Sequence, residues 1–212
     1  MDLLLIRHAQ THSNVARALD TGLPGSDLTA LGERQVAELA ELLGGERIDA
    51  VWCSPTLRTR RTATGLAERR GLEPEVRDGL VEISAGDWEM STADEHGAAY
   101  REAIVAAMDG GDGPLVPGGE TREQVLARFD AVIEEARASG HDRVALVSHG
   151  AVLRAWCGIR VANVPFELVR DRPLGNTGLI RLHENGAGWV ATEWDTEAVE
   201  PGGEAGPAAG PA

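Results

Sequence analysis

The 212-residue chain has only two cysteines, Cys53 and Cys157, each set among apolar neighbours. That excludes a disulfide framework as the source of stability and points to two buried structural thiols in a reducing compartment. Long apolar runs are also lacking: none approaches the roughly 18 residues of a membrane helix. The chain enters a brief hydrophobic run at Leu3 without the basic stretch and extended apolar core of a secretory signal, so the expected location is cytoplasmic. Positive charge is scarce. Lysine plus arginine number 20 against 34 aspartates and glutamates, a formal net charge of -14, which argues against nucleic acid or an anionic membrane as partner. A local basic pocket is still compatible with that balance. No internal repeat and no dividing linker is found, so one domain over residues 1–199 is the economical reading.

What is present suffices for a core: 42% hydrophobic and 25% charged residues are ordinary for a globular chain that needs neither disulfide nor metal to fold. Leu3-Leu4-Leu5-Ile6 is too brief for a helix and predicts a strand buried on both faces. Thr29 is a candidate N-cap for a helix carrying Val36, Leu39, Ala40 and Leu43 at helical spacing, with Gly44-Gly45 as its stop. Residues 49–53 predict a second strand. Ser54-Pro55 resembles a helix start, with the helix running to Arg70. Residues 76–83 predict a mixed, strand-like segment, and residues 84–120, rich in glycine and acidic side chains, a cap or lid holding one helix near 98–108. Thr121 and Gln124 form a capping box for a helix with Val125, Phe129, Val132, Ile133 and Ala136 on one face. Residues 144–147 predict a buried strand and residues 151–158 a helix. Residues 179–182 and 189–194, separated by Glu184-Asn185-Gly186, predict a terminal hairpin. Residues 200–212 are Gly, Pro, Ala and Glu alone, a composition expected to form a disordered tail. The fold class is α/β: a three-layer sandwich with a mostly parallel central sheet flanked by helices.

In such a sheet the ligand site lies beyond the carboxyl ends of the parallel strands. Arg7-His8 follows the first strand, Arg58 lies one turn into the helix after the second, Glu82 ends the mixed segment, and His149-Gly150 follows the strand before it. Two arginines and two histidines at one edge make a poor core but a good anion pocket, because guanidinium forks match phosphate oxygens. A neutral imidazole can carry a phosphoryl group covalently, fixed cations can stabilise the transition state, and a carboxyl can protonate the leaving oxygen. Glu82 is the best placed carboxyl and Glu89 its nearest competitor. His8 and His12 stand four apart, but they follow a strand and lack the intervening glutamate of a zinc-binding helix, so no metal ligand set is assigned.

These residues resemble the histidine phosphatase (phosphoglycerate mutase-like) superfamily. Its first motif, Arg-His-Gly-x-Thr with a later asparagine, is similar to Arg7-His8-Ala9-Gln10-Thr11 with Asn14. The resemblance continues through Asp27-Leu28-Thr29 with Gly32 and Gln35, and through Ser54-Pro55 with Arg58, Thr62 and Ala63. Further matches are Leu80-Val81-Glu82-Ile83 with Gly86, Trp88 and Glu89, then Pro117-Gly118-Gly119-Glu120-Thr121, and Val147-Ser148-His149-Gly150. It implies His8 as phosphorylated nucleophile, Glu82 as proton donor, and Arg7, Arg58 and His149 as the phosphate pocket. Asn14, Thr21, Gly22 and Gly150 match substrate-binding positions. Two departures stand out: Ala9 and Met90 occupy places where the family commonly has glycine, and a left-handed backbone at Ala9 would be strained.

The resemblance implies a metal-independent phosphatase acting on a small phosphomonoester, with no cofactor. Phosphoglycerate mutase is the alternative from the same chemistry. The mutases' Gly-Leu-Asn-Lys stretch and later Arg-Arg pair have no counterpart in residues 91–116, which offer Asp94, Glu95, Asp109 and Asp112 instead. A non-catalytic module that binds a phosphorylated ligand is a third reading. Tyr100 and Arg101 are candidate lid contacts to substrate. A symmetric homodimer is kept open as the assembly.

Overall fold

Side-chain alternation along the first strand already separates two cores. Leu3 and Leu5 pack with Trp52, Phe129, Ile133, Leu146 and Trp156 on one face of the sheet. Leu4 and Ile6 pack with Leu39, Leu43, Val51, Leu66 and Val147 on the other. A strand covered on both faces is apolar at every position, which is why this one reads as a continuous run. The computed structural model describes residues 1–106, 108, 113–195 and 197–199. The glycine- and proline-rich segment 200–212 lies outside the described residues, as do Asp109 and Asp112.

The strands are β1 (Asp2–Arg7), β2 (Ala50–Cys53), β3 (Glu75–Val76), β4 (Arg143–Ser148), β5 (Leu179–Asn185), β6 (Gly188–Trp194) and β7 (Glu197–Ala198). They form one sheet in the order β3-β2-β4-β1-β5-β6-β7. The first four run parallel and the last three are added antiparallel, the expected terminal hairpin among them. Helices α2 (Ala30–Leu42) and α3 (Leu57–Glu68) supply one layer, and α5 (Arg122–Ala138) and α6 (Gly150–Arg160) the other. The α/β sandwich is therefore as expected. Thr29 Oγ1 caps α2 by accepting from Gly32 N at 3.0 Å. At α5 the box closes both ways, Gln124 N to Thr121 Oγ1 at 3.2 Å and Thr121 N to Gln124 Oε1 at 2.9 Å. Among the described residues no helix is long and apolar enough to cross a membrane.

Three local expectations need correction. Helix α3 begins at Leu57 with Thr56 as N-cap, rather than at Ser54-Pro55; the Ser54 hydroxyl bonds His149 Nε2 at 2.9 Å and also accepts from Thr56 N at 3.3 Å and Thr59 Oγ1 at 3.2 Å, so it ties the helix start to the histidine. The segment 76–83 is not a strand beyond Val76: Asp78–Leu80 makes a 3-10 turn closed by Val81 N to Asp78 O, and the carbonyls of Gly79 and Leu80 bond side chains rather than a neighbouring strand. The lid helix, α4 (Asp94–Ala106), starts earlier than expected, with Asp94 and Glu95 in its first turn where the helix dipole favours acids. Two short helices gave no periodic signal, α1 (His12–Ala16) and α7 (Phe166–Asp171).

The two departures from glycine resolve differently. Ala9 is fully buried and lies outside the left-handed region, so its methyl group is accommodated without strain. Met90 has φ of 60°, is 57% exposed, and donates its N–H to Leu19 O at 2.9 Å. A left-handed residue with a Cβ costs about 1–2 kcal/mol, partly offset in a glycine variant by the freer unfolded chain. Met90→Gly should therefore raise the urea unfolding free energy by about 0.5–1 kcal/mol; a decrease would show that the methionine side chain contributes more than its backbone loses.

Candidate active site

The parallel register of β1 with β4 sets Arg7 opposite Ser148, so the residues that follow, His8 and His149, emerge side by side. Their rings meet edge to face at 5.3 Å between centroids. His8 is 5% exposed and His149 is fully buried. His8 Nδ1 lies 2.8 Å from Ala9 O. A carbonyl can only accept, so Nδ1 carries the proton and Nε2 keeps its lone pair. Thr62 Oγ1 accepts from Ala9 N at 3.1 Å, and Asn176 Nδ2 donates to His8 O at 3.1 Å, which pins the same backbone from both sides.

Around this imidazole stand two guanidinium groups, and the chain contains no lysine at all. Arg7 Nη1 donates to Leu174 O at 2.7 Å, while its buried Nε has no acceptor among the described residues. Arg58 is 2% exposed and donates Nε to His149 Nδ1 at 3.3 Å. Its Nη1 lies 3.5 Å from Asp20 Oδ1, an ionic contact without hydrogen-bond geometry, and is likewise an unmatched buried donor. His149 therefore accepts at Nδ1 and donates Nε2–H to Ser54 Oγ at 2.9 Å. Unmatched buried donors cost about 1–3 kcal/mol each, a penalty that an anionic oxygen in the site would remove. Burial pushes the pKa of His8 well below the usual histidine value, and Arg58 and Arg7 push it further down. His149 is lowered for the same reasons, burial first, then Arg58, His8 and Arg7. Both rings are neutral at neutral pH, the form in which an imidazole can act as a nucleophile.

Glu82 reaches the site from the far side. Its Oε1 accepts from Val152 N at 2.8 Å and Ile83 N at 2.9 Å, and Oε2 accepts from Ala151 N at 3.0 Å. The carboxyl thus docks on the first turn of α6, immediately after His149-Gly150, with Oε2 less occupied than Oε1. A Cβ at Gly150 would sit 3.1 Å from Arg7 Nε, so a larger residue there would press on the Arg7 side chain by a few tenths of an ångström.

The remaining expected residues divide. Asn14 closes a capping box on Thr11, and its Oδ1 also accepts from Asn176 Nδ2 at 3.1 Å. No described residue accepts from its own amide N–H groups. Thr21 and Gly22 donate their N–H groups to Glu89 Oε1 at 2.9 and 3.0 Å, and Thr21 Oγ1 also bonds Glu89, so this loop is organised by Glu89. Tyr100 is buried and donates its hydroxyl to Ile83 O at 2.6 Å, which makes it core rather than a free lid contact. Arg101 is exposed on α4 and unpaired among the described residues. Both cysteines are buried; burial raises the Cys53 thiol to about 11 and pushes Cys157 up as well, so neither is a nucleophile.

Sequence reasoning missed Asp20, Ser54, Thr62 and Asn176 as parts of this site, and also Gly25. Gly25 has φ of 72°, and a Cβ there would stand 2.1 Å from Arg58 Nη1. Ser54 and Thr62 were visible within a recognised motif, but nothing in spacing says what a hydroxyl bonds.

Motif order, fold and site geometry agree, and the chain belongs to the histidine phosphatase superfamily (branch 1), whose family model matches residues 3–197. It is 30% identical over 198 residues to the probable phosphoglycerate mutase GpmB of Photorhabdus laumondii, covering 93% of this chain and 91% of that protein. It is 31% identical over 159 residues to phosphoserine phosphatase 1 of Hydrogenobacter thermophilus, covering 74% of this chain and 75% of that one. Among solved structures it is similar to the mycobacterial glucosyl-3-phosphoglycerate phosphatase in complex with VO3, with a TM-score of 0.78 and 29% identity over 92% of this chain and 99% of that chain.

Gly25→Ala should displace the Arg58 guanidinium and lower kcat/KM for a phosphomonoester by about 10-fold or more, since a misplaced phosphate clamp loses charge-assisted bonds. An unchanged kcat/KM would remove Arg58 from the phosphate pocket. The two buried histidines also predict a pH dependence of stability. Their folded pKa values lie below the unfolded value of 6.5, so stability is present above pH 6.5 and is lost as pH falls through that value toward the folded ones. Each contributes at most about 1.4 kcal/mol per pH unit in that window. Urea unfolding at pH 7.5 and 5.5 should show the loss, and a His8→Ala, His149→Ala double variant should flatten it.

Proposed function

We propose that the chain is a phosphatase that hydrolyses a small phosphomonoester through a phosphohistidine formed on His8. The observation that carries this reading is the state of His8: Nδ1 is committed to Ala9 O, so Nε2 keeps its lone pair as a neutral nucleophile in the field of Arg7 and Arg58, whose Nε and Nη1 respectively are unmatched. In the first step Nε2 attacks phosphorus and the bond to the leaving oxygen breaks, while Glu82 gives that oxygen a proton. In the second step Glu82 takes a proton from water, the water oxygen bonds phosphorus, and the bond to Nε2 breaks. Free phosphate leaves, and His8 and protonated Glu82 are regenerated. Arg7 and Arg58 hold the equatorial oxygens throughout; His149, expected in the phosphate pocket, has both ring nitrogens engaged by Arg58 Nε and Ser54 Oγ and serves the pocket by orienting Arg58, and Asn14, Thr21, Gly22 and Gly150 border the substrate. Residues 1–199 act as one unit in this scheme, with 84–120 as its cap.

Hydrolysis is preferred to mutase action because of the cleft next to Glu82. This space of about 540 Å³ is lined by Thr21, Leu23, Glu82, Asp87, Glu89 and Glu120 among others, with no arginine. A mutase must grip a carboxylate and a second phosphate, and the Asp87 and Glu89 carboxylates lining the space beside the acid, which meet no arginine at ion-pair distance among the described residues, repel both, whereas Glu120 is neutralised by Arg128. The mutase reading draws its support from relatives that carry that name. The phosphatase reading draws on relatives and solved structures named as phosphatases.

Phosphate release from p-nitrophenyl phosphate in excess chelator tests the proposal directly. The parent should be active and His8→Ala should lose about 10³-fold or more. A silent parent that instead isomerises 3-phosphoglycerate would establish the mutase, and an active His8→Ala would exclude His8 as nucleophile.

A further inference from the structure

The segment that carries Glu82 is not part of the sheet, so its backbone carbonyls have no strand to bond. Arg128, on α5, supplies what is missing. Its Nη1 donates to Gly79 O at 2.9 Å and to Val81 O at 2.6 Å, and its Nη2 donates to Glu82 O at 3.1 Å. The rest of the fork grips Glu120 in bidentate fashion, Nε to Oε1 at 2.7 Å and Nη2 to Oε2 at 3.0 Å. All five N–H bonds of the guanidinium are thereby matched, two of them on Nη1, two on Nη2 and one on Nε. Glu120 Oε2 in turn accepts from Ser84 N at 3.1 Å, so the pair brackets Glu82 from both sides along the chain. Ser148 Oγ adds a bond to Leu80 O at 2.7 Å and Tyr100 a bond to Ile83 O at 2.6 Å.

From this geometry we infer that Arg128, locked by Glu120, is a positioning residue that sets the Glu82 carboxyl against the first turn of α6 and so governs proton delivery to the leaving group. It touches neither the reacting atoms nor the phosphate pocket, and it acts through the backbone of residues 79–84. The inference rests on the reading of Glu82 as the general acid. Only a guanidinium fork can make these bonds together, because three carbonyls and a carboxylate take five N–H donors spread over three nitrogens. A lysine ammonium, with three donors at a single point, spans only part of them. The Arg128 side chain is 18% exposed and that of Glu120 24%, so the pair is shielded enough for its geometry to hold.

The test uses the dependence on leaving group. p-Nitrophenolate departs without a proton, whereas an alkoxide needs one, so loss of proton delivery shows selectively in an alkyl phosphate. kcat/KM, which reports the steps through release of the alcohol, would be measured for p-nitrophenyl phosphate and glycerol 2-phosphate in the parent, Arg128→Lys, Glu120→Gln and Glu82→Gln. Arg128→Lys should lose about 10- to 100-fold on the alkyl substrate and less than about 3-fold on the aryl one, approaching the pattern of Glu82→Gln. Glu120→Gln should shift the ratio the same way by a smaller factor, and it decides the matter if Arg128→Lys does not fold. Equal losses on both substrates, or none, in a folded Arg128→Lys while Glu82→Gln discriminates would overturn the positioning role and leave the acid assignment standing. Equal losses in Glu82→Gln itself would remove the acid assignment and the inference with it.

Discussion

The parallel pairing of β1 with β4 is the constraint on which the site depends. Six consecutive residues of each strand are in register, from Asp2 with Arg143 to Arg7 with Ser148. Both strands are apolar on both faces, and a slip of one residue would turn every side chain to the opposite layer. The burial of Leu3 to Ile6 and Val144 to Val147 thus holds His8 and His149 at one height at the sheet edge. Everything else in the site is built outward from those two rings: Arg58 from α3 onto His149, Ser54 beneath it, and Glu82 onto the helix that His149 begins.

The site also carries positive charge that is only partly relieved, by Asp20 3.5 Å from Arg58 Nη1. Arg58 and His149 are almost wholly removed from water, and Arg7 is largely so, yet buried N–H groups of both arginines point to no acceptor among the described residues. A protein optimised only for stability would pair them or replace them with apolar side chains. Under the proposed function, retaining them is preorganisation: the donors stand ready for an oxyanion and need little rearrangement when it arrives. The same burial keeps the histidines neutral, so in the proposed reaction desolvation would serve nucleophile and anion pocket together.

Irregular backbone is held in a different way. Segments 20–28 and 79–89 carry site residues outside any strand or long helix, and each is secured by side chains from distant positions. Glu89 secures Thr21 and Gly22, Asp20 accepts from Ser26 N at 2.8 Å, and the Arg128–Glu120 pair secures residues 79–84. Such loops place functional groups where a ladder could not, provided every carbonyl and N–H finds a partner.

The sequence by itself determined the α/β class, the buried strands, the capped helices α2 and α5, and the set of polar residues at strand ends. Those features rest on local signals: side-chain periodicity, capping residues, and the change from apolar run to Arg7-His8 or Ser148-His149. Motif order carried the resemblance to the family that the match over residues 3–197 confirms. Only the tertiary structure decided that Ser54 serves His149 as well as the start of α3, that Tyr100 is core, and that Glu89 holds Thr21 and Gly22. It also decided that residues 77–83 leave the sheet, and that Asp20, Gly25 and Asn176 belong to the site. The physical reason is the same for each. A hydroxyl, an amide or a carboxylate has no periodicity of its own, and its partner lies tens of positions away along the chain, brought near only by the packing of layers.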